Sequence, residues 1–97
     1  MSSKLNLSAT LSSLADENRI KILQFLRGEE RCVCEIWEKL KLPQNLVSHH
    51  LKVLKEAKLI KCKKEGLYCF YSLEEKNIEA LLSKLEKLLL TTKKGKP

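Results

Sequence analysis

Four cysteines in a chain of 97 residues fall into two pairs, Cys32/Cys34 and Cys62/Cys69. Thiolates prefer soft or borderline ions to magnesium and calcium, so a Cys-x-Cys pair is a soft-ligand site in miniature. Cys32 and Cys34 sit in Glu30-Arg31-Cys32-Val33-Cys34-Glu35-Ile36, at the expected start of a short helix. On a regular helix, residues two apart point about 200° away from each other. Joint ligation therefore requires a frayed helix N-terminus, or unwinding of the first turn when the ion binds. Arg31 and the helix N-terminus favour the thiolate, and Glu30 and Glu35 oppose it. The competing reading is a pair of small, half-buried residues at a helix start.

The second pair depends on strand register. Leu59–Lys64 and Leu67–Leu73 read as strands around Glu65-Gly66, a plausible two-residue turn. That register sets Lys63 opposite Tyr68 and Cys62 directly opposite Cys69. The two thiols would then suit a soft ion or a redox-dependent disulfide, although filling of the hairpin's core is the favoured reading. His49 and His50 point apart on a helix, with no His or Cys four residues on, so they are not expected to hold zinc. Catalysis is not expected either. The chain has no carboxylate pair, no Ser/His/Asp set and no phosphate-cradling Gly-rich loop, with only three glycines in all.

The positioning elements follow from periodicity. A first helix is expected from about Lys4 to Leu14, with Leu7, Leu11 and Leu14 on one stripe. Asp16 suits the N-cap of a second, Glu17–Arg27, which Gly28 ends. Val33, Ile36, Trp37 and Leu40 make one face of a third. Pro43 suits the first position of a fourth helix running to Lys58. Its apolar arc is Leu46, Val47, His50, Leu51, Val53, Leu54 and Ala57. Asn45, Ser48, His49, Lys52 and Lys55 occupy the opposite arc. After the hairpin, Glu75–Leu90 carries another leucine stripe. The predicted fold is mainly α with a small β-hairpin, a winged helix-turn-helix of five helices over residues 1–91. Residues 92–97 are expected to form a basic disordered tail. Both terminal helices carry more apolar surface than the core needs, which predicts a homodimer through them.

The net charge is +7, and its placement matters more than its size. From Lys41 to Lys64 there are seven lysines and one acid, Glu56. A basic middle between more acidic flanks suits a face that meets phosphate, although a solubilising Lys/Glu surface reads similarly. No run is long and apolar enough to span a membrane, and the N-terminus lacks a signal peptide's apolar segment. A reducing, cytoplasmic location is expected, where ligand or redox roles for thiols outweigh a disulfide framework.

Three segments carry a resemblance to a known family. They are Leu14-Ala15-Asp16-Glu17-Asn18-Arg19-Ile20-Lys21-Ile22-Leu23, Val47-Ser48-His49-His50-Leu51-Lys52-Val53-Leu54 and Cys32-Val33-Cys34-Glu35-Ile36. Together they resemble the ArsR/SmtB family of metal-sensing repressors over about residues 9–73. The last segment is similar to the Cys-Val-Cys box of its arsenic-responsive members. The resemblance implies a homodimeric repressor that leaves operator DNA when a thiophilic ion binds Cys32 and Cys34. Arsenite or antimonite is the expected inducer, with Cd(II) or Pb(II) as further candidates and no permanent cofactor. Trp37 stands where arsenic-responsive relatives often have a third cysteine, which leaves the third donor unassigned. The last helix holds no histidine, so the family's other, Asp/His metal site is not expected.

Gln44, Asn45, Ser48 and His49 are the candidates for base edges. Lys52, Lys55, Lys63 and Lys64 are the candidates for phosphate, with Arg19 joining from the second helix. Tyr68 either flanks the wing's approach to DNA or packs on Lys63. Two rival readings remain: a thiol-redox or reactive-sulfur sensor on the same fold, and a winged-helix module that docks protein.

Overall fold

The computed structural model describes residues 6–90. Within them the order is α1 (Leu7–Leu14), α2 (Glu17–Phe25), β1 (Arg31–Cys32), α3 (Val33–Leu40), α4 (Gln44–Glu56), β2 (Ile60–Glu65), β3 (Tyr68–Leu73) and α5 (Glu75–Leu90). The first helix begins at Leu7, three residues after the expected start at about Lys4, because Asn6 is extended and caps it; the basic tail lies outside the described residues.

Caps explain most of the boundaries. Asn6 opens α1 by accepting from the Ala9 N–H at 3.0 Å. Asp16 opens α2 by accepting from the N–H groups of Asn18 at 2.8 Å and Arg19 at 3.2 Å. That satisfies two donors a helix start leaves without partners. The second helix closes two residues earlier than Arg27, and Gly28 turns the chain at φ +78. Pro43 stands just outside α4 rather than within it, and its carbonyl accepts from Leu46 and Val47 at 3.1 Å each. At the far end α4 stops at Glu56, short of Lys58. Lys58 takes a left-handed φ of 66, which lets the Leu59 N–H reach back to the Leu54 carbonyl at 3.1 Å.

The helices close on one core of Ile22, Leu26, Ile36, Val47, Leu51, Leu54, Leu59, Ile60 and Leu81. The apolar arc of α4 supplies Val47, Leu51 and Leu54 to it, while Leu46 remains exposed. Of the sixteen residues of α5, only Leu81 is buried, and Leu82, Leu88, Leu89 and Leu90 are exposed.

The sheet corrects the sequence reading twice. It has three strands in the order β1-β3-β2, because Arg31 and Cys32 pair antiparallel with Tyr71 and Phe70. Its hairpin also turns at Gly66-Leu67, not Glu65-Gly66, so that Glu65 faces Tyr68, Lys64 faces Cys69 and Cys62 faces Tyr71. The physical reason is the left-handed backbone at the first loop position. Gly66 takes φ +63 there without a Cβ penalty, whereas the expected turn would have put Glu65 in that place. Cys62 and Cys69 are therefore diagonal neighbours, not directly opposed ones.

The cap at Asp16 can be weighed directly. Asp16→Ala should lower unfolding stability by about 1 kcal/mol, while Asp16→Asn, which can still accept from N–H groups, should lose much less. Urea titration at fixed protein concentration checks this, and equal losses would remove the capping assignment.

Candidate thiol site and nucleic-acid interface

Cys32 is the last residue of β1 and the N-cap of α3, with extended φ and ψ of −69 and 150. The chain changes from strand to helix at this single residue. Its side chain therefore does not follow the helical rotation that would separate it from Cys34. The two sulfurs lie 2.9 Å apart with no unwinding of the helix. Of the two routes open to joint ligation, the thiols take the one at the helix terminus. Cys32 is buried and Cys34 exposed, so the pair opens to solvent on the Cys34 side.

Glu35 holds this arrangement. One carboxylate oxygen accepts from the Cys32 N–H at 2.8 Å, and the other lies 4.0 Å from Arg31. Spacing could have revealed this role, since an acid three residues after an N-cap is half of a capping box. Arg31 does not assist the thiols as expected. It pairs with Glu29 at 3.3 Å, donates to the Phe25 carbonyl at 3.3 Å and lies over the Phe25 ring, 4.2 Å from its centroid. The Cys34 thiol is instead pushed up. Its hydrogen bond with Cys32 is the main cause, followed by partial desolvation; the Glu35 N–H pulls the other way. A proton-poor pair is thus disfavoured until something positive replaces the protons. Among the described residues no cluster of three or more His, Cys, Asp or Glu side chains is placed to hold a metal ion. The donor set of this site within one chain is two sulfurs.

The polar arc of α4 is open. Gln44, Asn45, Ser48, His49, Lys52 and Lys55 are all exposed, while His50 is buried. In the hairpin, Lys64 shares the face of Cys62 and Cys69. Lys63 stands on the other face, 3.2 Å from Glu65 and 3.9 Å from Glu30, so it is not brought together with the cations of α4. Tyr68 is exposed beside Phe70, with ring centroids 6.4 Å apart, on the same face as Lys63. Arg19 is also taken up internally. Its guanidinium lies 3.9 Å from Asp16, and its Nε is buried without a protein partner.

Arg19 belongs to a buried joint between α2 and α4. His50 is 5% exposed, with Nε2 3.9 Å from the Asp16 carboxylate that caps α2. Burial lowers the His50 pKa from 6.5; Asp16 opposes this, and Arg19 and His49 add to it. Partial desolvation raises the Asp16 carboxyl, but the Arg19 and Asn18 N–H groups outweigh it and leave the pKa below 3.8. Both shifts have the same sign for stability. A neutral His50 stabilises fully above its unfolded pKa of 6.5, and that share is lost as pH falls below it. The Asp16 share is lost only lower, as pH falls through the carboxylate range. The urea midpoint should therefore decline as pH falls below about 6.5, and His50→Gln should flatten that step while leaving the acid limb. An unchanged step in the variant would assign the decline to another group.

The comparisons with known proteins agree with this geometry. The family model described as bacterial regulatory protein, arsR family, matches residues 16–61. An arsenical resistance operon repressor of Bacillus subtilis is 36% identical over 85 residues, 86% of this chain and 79% of that protein. A cadmium resistance regulatory protein CadC homolog of Staphylococcus aureus is 32% identical, over 82% of this chain and 67% of that protein. The solved structure of HlyU from Vibrio cholerae superposes with a TM-score of 0.72 at 30% identity, covering 92% and 98% of the two chains. With the helix-turn-helix, its wing and the open polar face of α4 in place, the chain belongs to the ArsR family and is a DNA-binding transcriptional regulator, not an enzyme.

Proposed function

We propose that the protein is a repressor whose hold on operator DNA is released when a thiophilic metalloid or metal, arsenite or antimonite first, bridges Cys32 and Cys34. The observation that carries this reading is the 2.9 Å approach of the two sulfurs at a strand-to-helix junction. A trivalent arsenical taking both sulfurs draws on that approach with little rearrangement, and a third donor comes from solvent or a small thiol. Release requires that the ion bind the DNA-free state more tightly than the DNA-bound one. Cys32 is well situated to transmit that difference, because it belongs to β1, beside the wing strand, and also begins α3, which packs on α4. The named relatives, an arsenical resistance repressor and a cadmium resistance regulator, support an inducer of this class.

In this reading Gln44, Asn45, Ser48 and His49 meet base edges, and Lys52, Lys55 and Lys64 meet phosphate. The ion pairs of Lys63 and the internal role of Arg19 argue for smaller parts for both. A homodimer would place two such faces on one duplex. Its support is the exposed leucine surface of α5 beside the apolar stripe of α1. No helix among the described residues is long and apolar enough to cross a membrane, and a DNA-bound regulator with reduced thiols fits the cytoplasm.

The decisive measurement is anaerobic binding to a duplex selected from a random pool. Binding should weaken steeply with salt, and Lys52→Ala or Lys55→Ala should each lower the logarithmic salt slope by about 1. In a Cys62→Ser/Cys69→Ser background, arsenite should weaken binding by roughly 5- to 150-fold. In the same background, Cys32→Ser/Cys34→Ser should bind the duplex normally and ignore arsenite. If that variant still releases DNA, the sensor assignment is wrong. Loss of binding only when an oxidant is supplied would favour the thiol-redox reading instead. For the dimer, Leu82→Glu/Leu89→Glu should reduce the mass seen by light scattering by about half and weaken duplex binding.

A further inference from the structure

The wing carries a second pair of thiols that the reading above leaves unused. Cys62 faces Tyr71 and Cys69 faces Lys64, so the two cysteines are diagonal neighbours on one face of the hairpin. Both are half-buried and unoxidised. The neighbouring Cys62 thiol first, and then partial desolvation, push the Cys69 thiol up, while Lys64 and Lys55 pull it down. The Tyr71 phenol completes the cluster. Burial first, then the charge and hydrogen bond of Cys62, push it up to about 12.

Strand alternation keeps this cluster apart from the first pair. Cys32 aligns with Phe70 and Lys63, on the opposite face from Cys62, Tyr71 and Cys69. The two pairs therefore do not combine into one four-sulfur site. Diagonal placement also selects the chemistry. Such neighbours stand about 7–8 Å apart, with somewhat less between Cβ atoms, whereas a disulfide needs Cβ atoms about 3.5–4.5 Å apart. An ion held between two sulfurs, with metal–sulfur bonds of about 2.3 Å each, bridges a wider gap than one S–S bond does.

We propose that Cys62 and Cys69 form a second, independent dithiol site in the wing, which takes a thiophilic metalloid or metal through both sulfurs. Lys64 stands directly opposite Cys69, and the charge of Lys55 of α4 also reaches the Cys69 thiol, so the site borders the surface proposed to meet phosphate. Occupancy there would bear on DNA binding directly, without passing through α3. That last consequence rests on the proposed DNA face, whereas the site itself does not.

Phenylarsine oxide is a suitable probe because it needs only two sulfurs. Each thiol gives its proton to the arsenical oxygen, two S–As bonds form, and one water leaves with no change of oxidation state. The Cys32→Ser/Cys34→Ser protein should take up one phenylarsenic group per chain by intact mass. Both remaining thiols should become unreactive to iodoacetamide, in an adduct that survives glutathione and is reversed by ethanedithiol. Peptide mapping should place the protection at Cys62 and Cys69 without any further substitution. Adding Cys62→Ser or Cys69→Ser, with folding checked by circular dichroism, should abolish the glutathione-resistant adduct. Bound duplex should slow the reaction severalfold. Failure to form the adduct, or its persistence after loss of either thiol, would overturn the site. An adduct that forms at the same rate with and without duplex would overturn its placement on the DNA face. Neither result touches the reading of Cys32 and Cys34, which is tested with the wing thiols absent.

Discussion

Everything proposed for the first thiol pair depends on one change of backbone direction. Cys32 is extended, pairs with Phe70 of the wing strand, and is followed at once by the first residue of α3. An N-cap residue is half outside its helix, so its side chain escapes the rotation that separates residues two apart. This is why the sulfurs of Cys32 and Cys34 meet at 2.9 Å in an unbroken helix. The Glu35 carboxylate keeps the junction in place by accepting the Cys32 N–H and facing Arg31. The same residue thus belongs to the sheet, to the helix and to the candidate ligand pair. A change in its backbone would be felt by the wing and by the helix packed on α4 together.

The surface of α4 is organised by what lies behind it. Asp16 caps α2 and faces His50 of α4, and Arg19 closes the group. A residue read from spacing as an accessory DNA contact is thereby drawn into the joint that orients the polar helix. Lys63 illustrates the same selection at the wing. Its neighbours Glu30 and Glu65 neutralise it, while Lys64, one position on, stands on the other face with Cys69. Net charge could suggest a phosphate-binding region, but strand parity and local acids decide which lysines remain available to it.

The sequence by itself determined the helices, because each carries a periodic apolar face and a recognisable start or stop. Asp16, Gly28, Pro43 and the leucines of α5 were legible in this way, with errors of one to three residues where caps tightened the ends. The family was legible too, since its three motifs are contiguous stretches. Only the tertiary structure decided the sheet. A strand as short as Arg31–Cys32 shows no alternation to read, and it exists only because β3 is there to pair with it. The hairpin register was hidden for a different reason. A slip of one residue would have exchanged the faces, but the actual slip of two leaves every side chain on the face expected of it. The apolar pattern is blind to such a shift, and the left-handed backbone at Gly66 settles it. That shift turns Cys62 and Cys69 from opposed into diagonal partners, just as the unforeseen strand turns Cys32 and Cys34 from divergent into convergent ones. Residue types are local properties and can be read from the chain, whereas whether two sulfurs meet depends on backbone pairing with distant segments.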